Sequence, residues 1–248
     1  MKSLVNYQEI EKAYNRISNY VINTPLLSSD LLNKELKSNI FIKAENLQKI
    51  GAFKFRGAMN SILKLDDDKK NILAWSSGNH AQAIASACYL TNKRATIVMP
   101  EDSPNAKLNG TKSWGANIVT FDRYSESREE IGTALAKKIN AEIIPPFDHP
   151  DVINGQGTVG YEIISDFKKN NLKPDLVLCC CGGGGLIAGV STAIKAKYPN
   201  VPVYAVEPED YNDTFLSLKN NKITEVDVSK KSICDSLLAS KPGELTFS

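Results

Sequence analysis

From about residue 40 onward, short apolar runs alternate with longer stretches in which apolar side chains return every three or four positions. The short runs predict strands at residues 40–44, 72–75, 95–99, 117–121, 175–181 and 201–206. Helical periodicity marks KFRGAMNSILKL, NHAQAIASACYL, SREEIGTALAKKI, TVGYEIISDFKK and LIAGVSTAIKA, and the polar N-terminal MKSLVNYQEIEKAYNRI is helical in pattern as well. Strands that take turns with helices argue for parallel sheets covered by helices, an α/β architecture. In AEIIPPFDHPDVINGQGT the residues Pro145, Pro146 and Pro150 interrupt regular structure, and a glycine-bearing turn is expected at Gly155 and Gly157. The expected organisation is a smaller α/β domain over residues 65–148, inserted between the two parts, 1–64 and 149–248, of a larger one.

Composition narrows the field. The 248 residues are 42% hydrophobic and 23% charged, which suits a soluble globular protein of one large domain or two small ones. Thirty basic side chains against 28 acidic ones are spread without blocks, so neither a nucleic acid nor a membrane surface is indicated as a partner. No apolar run nears the roughly 20 residues of a membrane span, and a cytoplasmic location is expected. The five cysteines form neither a secreted disulfide framework nor a metal-spaced set. Three of them, Cys179, Cys180 and Cys181, lie in a strand-like run and read as small buried thiols.

Three segments carry candidate chemistry. Lys54, in GAFKFRGA, opens an apolar-periodic helix just after Gly51 and Phe53. A cation is disfavoured at a helix N-terminus, and with apolar neighbours this lowers the amine pKa and favours Schiff-base chemistry; the plain alternative is a solvated lysine in a first turn. In LVLCCCGGGGLIAG, Gly182, Gly183, Gly184 and Gly185 join a strand to a helix starting near Leu186, where backbone N–H groups converge on an anion such as phosphate. The same turn could serve a nucleotide or tight packing, although it lacks a P-loop's Lys-Ser/Thr and the spacing of a dinucleotide fingerprint. In AWSSGNHAQAIA, Ser76, Ser77, Gly78, Asn79 and His80 stand between a strand and a helix and suit a small carboxylate. An N-cap with polar decoration is the alternative there, and His80 reads equally as a hydrogen-bonded packing residue.

GAFKFRGA, SSGNHAQA, GQGT, CGGGGLIAG and AVEPE, in this order, resemble the fold-type II pyridoxal phosphate (PLP) enzymes, specifically the serine/threonine dehydratase and serine racemase group. The resemblance runs from about Thr24 to the last residue and implies a tryptophan synthase β-like fold of two parallel-sheet α/β domains. It implies that Lys54 carries PLP as a Schiff base, that Phe53 packs near the ring, that Asn79 contacts the ring hydroxyl, and that Gly182, Gly183, Gly184, Gly185 and Leu186 bind the phosphate. Ser76, Ser77, Gly78, Asn79 and His80 would receive the substrate carboxylate, with Ser77 where racemases keep their second acid/base group. Glu207, the Tyr211 carbonyl and Asp213, in VEPEDYND, fall where members bind a divalent cation, and their oxygens suit Mg²⁺ or Ca²⁺.

The implied activity is dehydration and deamination of L-serine or L-threonine to a 2-oxo acid and ammonia by a homodimer, with serine or hydroxyaspartate racemisation as the alternative. Two departures from the family pattern bear on this. Ser236 stands where a small Gly or Ala is usual. The chain stops at Ser248, whereas members of the group continue through further strands and helices, one of which offers a hydroxyl or thiol to the pyridine nitrogen. The expectation is a C-terminally truncated chain with an incomplete large domain, for which PLP binding without turnover is a third reading.

Overall fold

The computed structural model describes residues 4–248. In chain order the elements are α1 (Tyr7–Ile17), β1 (Leu26–Ser28), α2 (Asp30–Leu36), β2 (Phe41–Lys43), α3 (Lys54–Leu63), β3 (Asn71–Trp75), α4 (Asn79–Leu90), β4 (Arg94–Pro100), α5 (Asn105–Lys112), β5 (Asn117–Phe121), α6 (Arg128–Ile139), β6 (Ala141–Ile143), α7 (Pro150–Lys169), β7 (Val177–Cys180), α8 (Gly185–Lys197), β8 (Val203–Val206), α9 (Asp213–Asn220) and α10 (Glu244–Phe247). Strands β5, β4, β3 and β6, in that order, form a parallel sheet; β7 pairs with β8 in parallel, and β1 with β2 antiparallel.

The parallel sheet explains its own sequence. Leu73 and Val98 face a cluster with Phe121 and Ala136, whereas Ile72, Ala74, Ile97 and Met99 face α3 and α4. With both faces covered, the strands read as continuous apolar runs rather than as alternation. A second cluster joins Ile10 of α1 to Val159 and Ile164 of α7, Val190, Ala193 and Ile194 of α8, and Val201. Local chemistry fixes the helix starts. Asn6 Oδ1 accepts from Glu9 N at 3.0 Å, Ser127 Oγ from Glu130 N at 3.3 Å, and Pro150 takes the first position of α7 after His149.

Several expectations need correction. Gly155 and Gly157 do not form a turn but lie inside α7, which runs unbroken from Pro150. A Cβ on Gly155 would stand 2.6 Å from Gly57 Cα, and one on Gly157 2.7 Å from Ile10 Cδ1, so these glycines serve close helix crossings. Cys179 and Cys181 are buried, but Cys180 is exposed, because successive residues of β7 point to opposite sides. The strands expected at 175–181 and 201–206 shorten to Val177–Cys180 and Val203–Val206, and α8 starts one residue early, at Gly185.

Candidate active site

Lys54 is the first residue of α3, and the chain reaches it through two successive positive φ angles, Ile50 at 61° and Gly51 at 73°. Its Nζ donates to the Pro146 carbonyl at 2.7 Å and lies 5.4 Å from the Phe53 ring centroid. Burial lowers the amine pKa to about 8, against a weaker opposing effect of Cys180. The lowering expected from sequence is present, with desolvation as its main cause.

Ser76, Ser77 and Gly78 link β3 to α4, whose first two residues are Asn79 and His80. Gly78 N donates to Ser76 Oγ at 3.1 Å, while the side chains of Ser77 and Asn79 make no hydrogen bond among the described residues. His80 is buried, and its Nε2 lies 2.9 Å from the Ile144 carbonyl. A carbonyl only accepts, so Nε2 carries the proton and Nδ1, buried and unpartnered, is the acceptor nitrogen. Burial, then the nearby Lys54 charge, push the ring pKa down to about 3, so His80 is neutral at ordinary pH. Two carbonyls just beyond β6, those of Ile144 and Pro146, thus hold the imidazole and the amine. Sequence patterns carry no signal for this pairing, because the acceptors are backbone atoms.

The glycine run follows β7 as expected. Cys181 N closes the strand pairing on the Val206 carbonyl at 2.9 Å, Gly184 adopts φ 91°, and Gly185 and Leu186 begin α8. No amide from Gly182 through Leu186 finds an acceptor among the described residues. The loop is packed from outside: a side chain on Gly183 would collide with the Phe147 ring, and one on Gly184 would stand 2.7 Å from Thr246 Oγ1. Thr246 Oγ1 donates to the Gly183 carbonyl at 2.8 Å, and Asp148 Oδ1 accepts from Leu245 N at 2.9 Å, which ties the C-terminal turn beneath the loop. Ser236 contributes its backbone near Gly182, and its hydroxyl donates to Asp235 at 3.3 Å.

A buried ionic network escaped the reading of the sequence. Arg56 Nη1 and Nη2 bond the two Glu162 oxygens at 2.7 and 2.9 Å, while Nε and Nη2 bond the Glu45 oxygens at 2.8 and 2.7 Å. Lys43 Nζ joins Glu162 at 2.9 Å and Asp166 at 3.2 Å. Burial works against the Arg56 charge, but the hydrogen bonds it donates to Glu45 and Glu162 outweigh it and hold its pKa above the ordinary value. The available clue was an arginine two places after Lys54, between Phe55 and the small apolar positions Gly57 and Ala58.

The acidic segment after β8 is not a solvated loop. Glu207 caps α9, its two oxygens each accepting at 2.9 Å from Thr214 N and Phe215 N. Asp213 is fully buried with both carboxylate oxygens unpartnered, and burial and then Glu207 push its pKa up to about 7. The Tyr211 side chain is buried, its hydroxyl donating to the Val228 and Lys230 carbonyls. Among the described residues no group of three or more His, Cys, Asp or Glu is arranged to hold a metal ion.

Comparison with known proteins adds a frame. The sequence profile described as pyridoxal-phosphate dependent enzyme matches residues 17–248. The chain is 44% identical to the L-threo-3-hydroxyaspartate ammonia-lyase of Saccharomyces cerevisiae over 97% of its own length and 73% of that protein's. It is 40% identical to the serine racemase of Schizosaccharomyces pombe, over 99% of this chain and 75% of the other. Among solved structures, the T.th. threonine deaminase superposes with a TM-score of 0.92 at 40% identity, covering 98% of this chain and 78% of that one.

Proposed function

Because the chain belongs to the pyridoxal-phosphate dependent enzymes, we propose that it is an ammonia-lyase of 3-hydroxy amino acids, converting L-serine or L-threonine to a 2-oxo acid and ammonia. The fold-type II α/β architecture stands with the family. The observation that carries the reading is the Lys54 amine, lowered to about 8 and near both the neutral His80 imidazole and Cys180, which ends the strand leading into a glycine loop with unused amides.

The residues present fit the cofactor. Lys54 Nζ would hold its aldehyde, Phe53 would pack against its ring, Asn79 would reach the ring hydroxyl, and the amides of Gly182, Gly183, Gly184, Gly185 and Leu186 would take its phosphate. When bound, pyridoxal phosphate supplies an electron sink for negative charge developing on the carbon next to an amine. The substrate carboxylate would sit on Ser76, Ser77, Gly78, Asn79 and the backbone of His80, where side chains of Ser77 and Asn79 are unengaged. Once the substrate amine has taken its place, the Lys54 amine, poised near neutrality, would accept the Cα proton as general base and return it to the β-hydroxyl, which would leave as water. Hydrolysis of what remains gives the 2-oxo acid and ammonia.

A second reading, racemisation, is favoured by Ser77 and by the likeness to serine racemase. It requires proton delivery to the opposite face of Cα, and Ser77 is the residue for that task. The name of the yeast relative makes 3-hydroxyaspartate a third substrate to test. Measuring 2-oxo acid, ammonia and D-amino acid from one incubation separates the readings, and D-serine without pyruvate would overturn the lyase.

A divalent cation, Mg²⁺ or Ca²⁺, belongs to the reading on Asp213, whose two bare oxygens are hard donors, with Glu207, the Tyr211 carbonyl and waters as remaining ligands. No helix among the described residues is long and apolar enough to cross a membrane. A cytoplasmic homodimer completes the reading, and a monomer by light scattering would remove the dimer.

A further inference from the structure

The segment that delivers Lys54 is a closed ring. It makes two 3-10 turns, Glu45–Leu47 and Lys49–Gly51, enters α3, and returns through Arg56 to Glu45, with Nε to Oε2 at 2.8 Å and Nη2 to Oε1 at 2.7 Å. Inside the ring Ile50 stands at φ 61°, ψ 8°, a left-handed conformation that a β-branched side chain strongly disfavours. Such strain persists only where the surroundings over-determine it. Gln48 supplies part of that constraint: Ile22 N donates to its Oε1 at 2.9 Å, and its Nε2 donates to the Ile22 carbonyl at 2.7 Å. The Glu45–Arg56 pair supplies the closure. The adjoining edge of the guanidinium, Nη1 with the shared Nη2, meets Glu162 and ties α3 to α7, which lies outside the ring.

We propose that the Glu45–Arg56 ion pair is a positioning element for Lys54, closing the strained segment 45–56 and fixing the direction from which the amine meets the cofactor aldehyde, whereas the Glu162–Arg56 pair holds α3 against α7. The inference rests on the reading that Lys54 carries the cofactor. The two pairs share one arginine, so they separate by their carboxylates. Glu45→Gln weakens the ring closure and leaves the helix contact, and Glu162→Gln does the reverse.

The test mixes the full chain with pyridoxal phosphate, quenches with borohydride at intervals, and quantifies the modified Lys54 peptide by mass, alongside a thermal melt of each variant. Glu45→Gln is expected to slow attachment about tenfold with the smaller loss of melting temperature, a displaced amine being costly to reaction geometry. Glu162→Gln is expected to lower the melting temperature more and to attach cofactor at the wild-type rate. Should Glu45→Gln not fold, Thr24→Val removes the hydroxyl that donates to Glu45 Oε1 at 2.6 Å, keeps the ion pair, and is expected to slow attachment to a lesser degree. Wild-type rates in the ring variant that folds, or equal slowing by Glu162→Gln, overturn the positioning role. Absence of any attachment to wild-type Lys54 overturns the cofactor reading itself, a different failure.

Discussion

Lys54 has a usable amine because its Nζ is desolvated while keeping one hydrogen bond, to the Pro146 carbonyl at 2.7 Å. Only the neutral amine attacks an aldehyde, and its share rises as pH climbs through about 8. Attachment of pyridoxal phosphate is therefore expected to accelerate with pH and level off above that value, and borohydride trapping across pH checks it. A plateau reached only near pH 10 would mean the amine is solvated. Asp213 poses the opposite case, a buried carboxylate with both oxygens bare. At pH 8, above the Asp213 pKa of about 7, added Ca²⁺ or Mg²⁺ is expected to raise the melting temperature, and Asp213→Asn to remove that response while stabilising the cation-free protein, because an uncompensated charge is gone. A cation response that survives the substitution would place the ion elsewhere. The sequence made Lys54, Asn79 and the glycines readable as candidates, since each stands at an element boundary with an unusual residue type. It could not reveal that Ile144 and Pro146 hold His80 and Lys54, because that pairing depends on where a β6 extension lies in space.

Among the elements, those with a long uniform pattern were legible and short ones were not. The helix expected at NHAQAIASACYL and the strand at residues 117–121 coincide with α4 and β5, because α4 is a long apolar stretch buried nearly all round and NIVTF is β-branched and aromatic between Gly115 and Asp122. Strands β1 and β6 have three residues each, too few to establish a period, and α5 is NAKLNGTK, with one buried residue. The reading at Gly155 and Gly157 failed because glycine signals a turn when considered locally, whereas here it lets helices touch. The same contact at Gly189, where a Cβ would collide with the Ile153 carbonyl and stand 2.6 Å from Gly157 N, yields an expectation. Gly189→Ala should cost about 1–3 kcal/mol through overpacking of α8 on α7, read by urea unfolding. A neutral result would show that the two helices separate easily.

Taken together, the chain joins its parts by one charged knot. Arg56 binds Glu45 and Glu162 through adjoining edges that share Nη2, and Lys43 extends the knot to Asp166, so α3, α7 and the segment leading to Lys54 share a single buried centre. Arg56→Met leaves Glu45 without a cation and Glu162 with Lys43 alone, and is expected to cost about 3–5 kcal/mol, measured by chemical denaturation. A change below about 1 kcal/mol, the level of an exposed pair, would show that water reaches the centre. The α/β class was readable from alternation, but this knot was not, since its members are dispersed from residue 43 to 166 and look like ordinary surface charges in sequence. The function proposed for the assembly stands or falls on turnover at Lys54. The decisive measurement incubates the protein and pyridoxal phosphate with L-serine, L-threonine or L-threo-3-hydroxyaspartate and follows ammonia and 2-oxo acid together, with Lys54→Ala as the control. Equal release of both products, lost in Lys54→Ala, is the expected result; cofactor bound through Lys54 with no ammonia from any of the three would contradict the lyase reading.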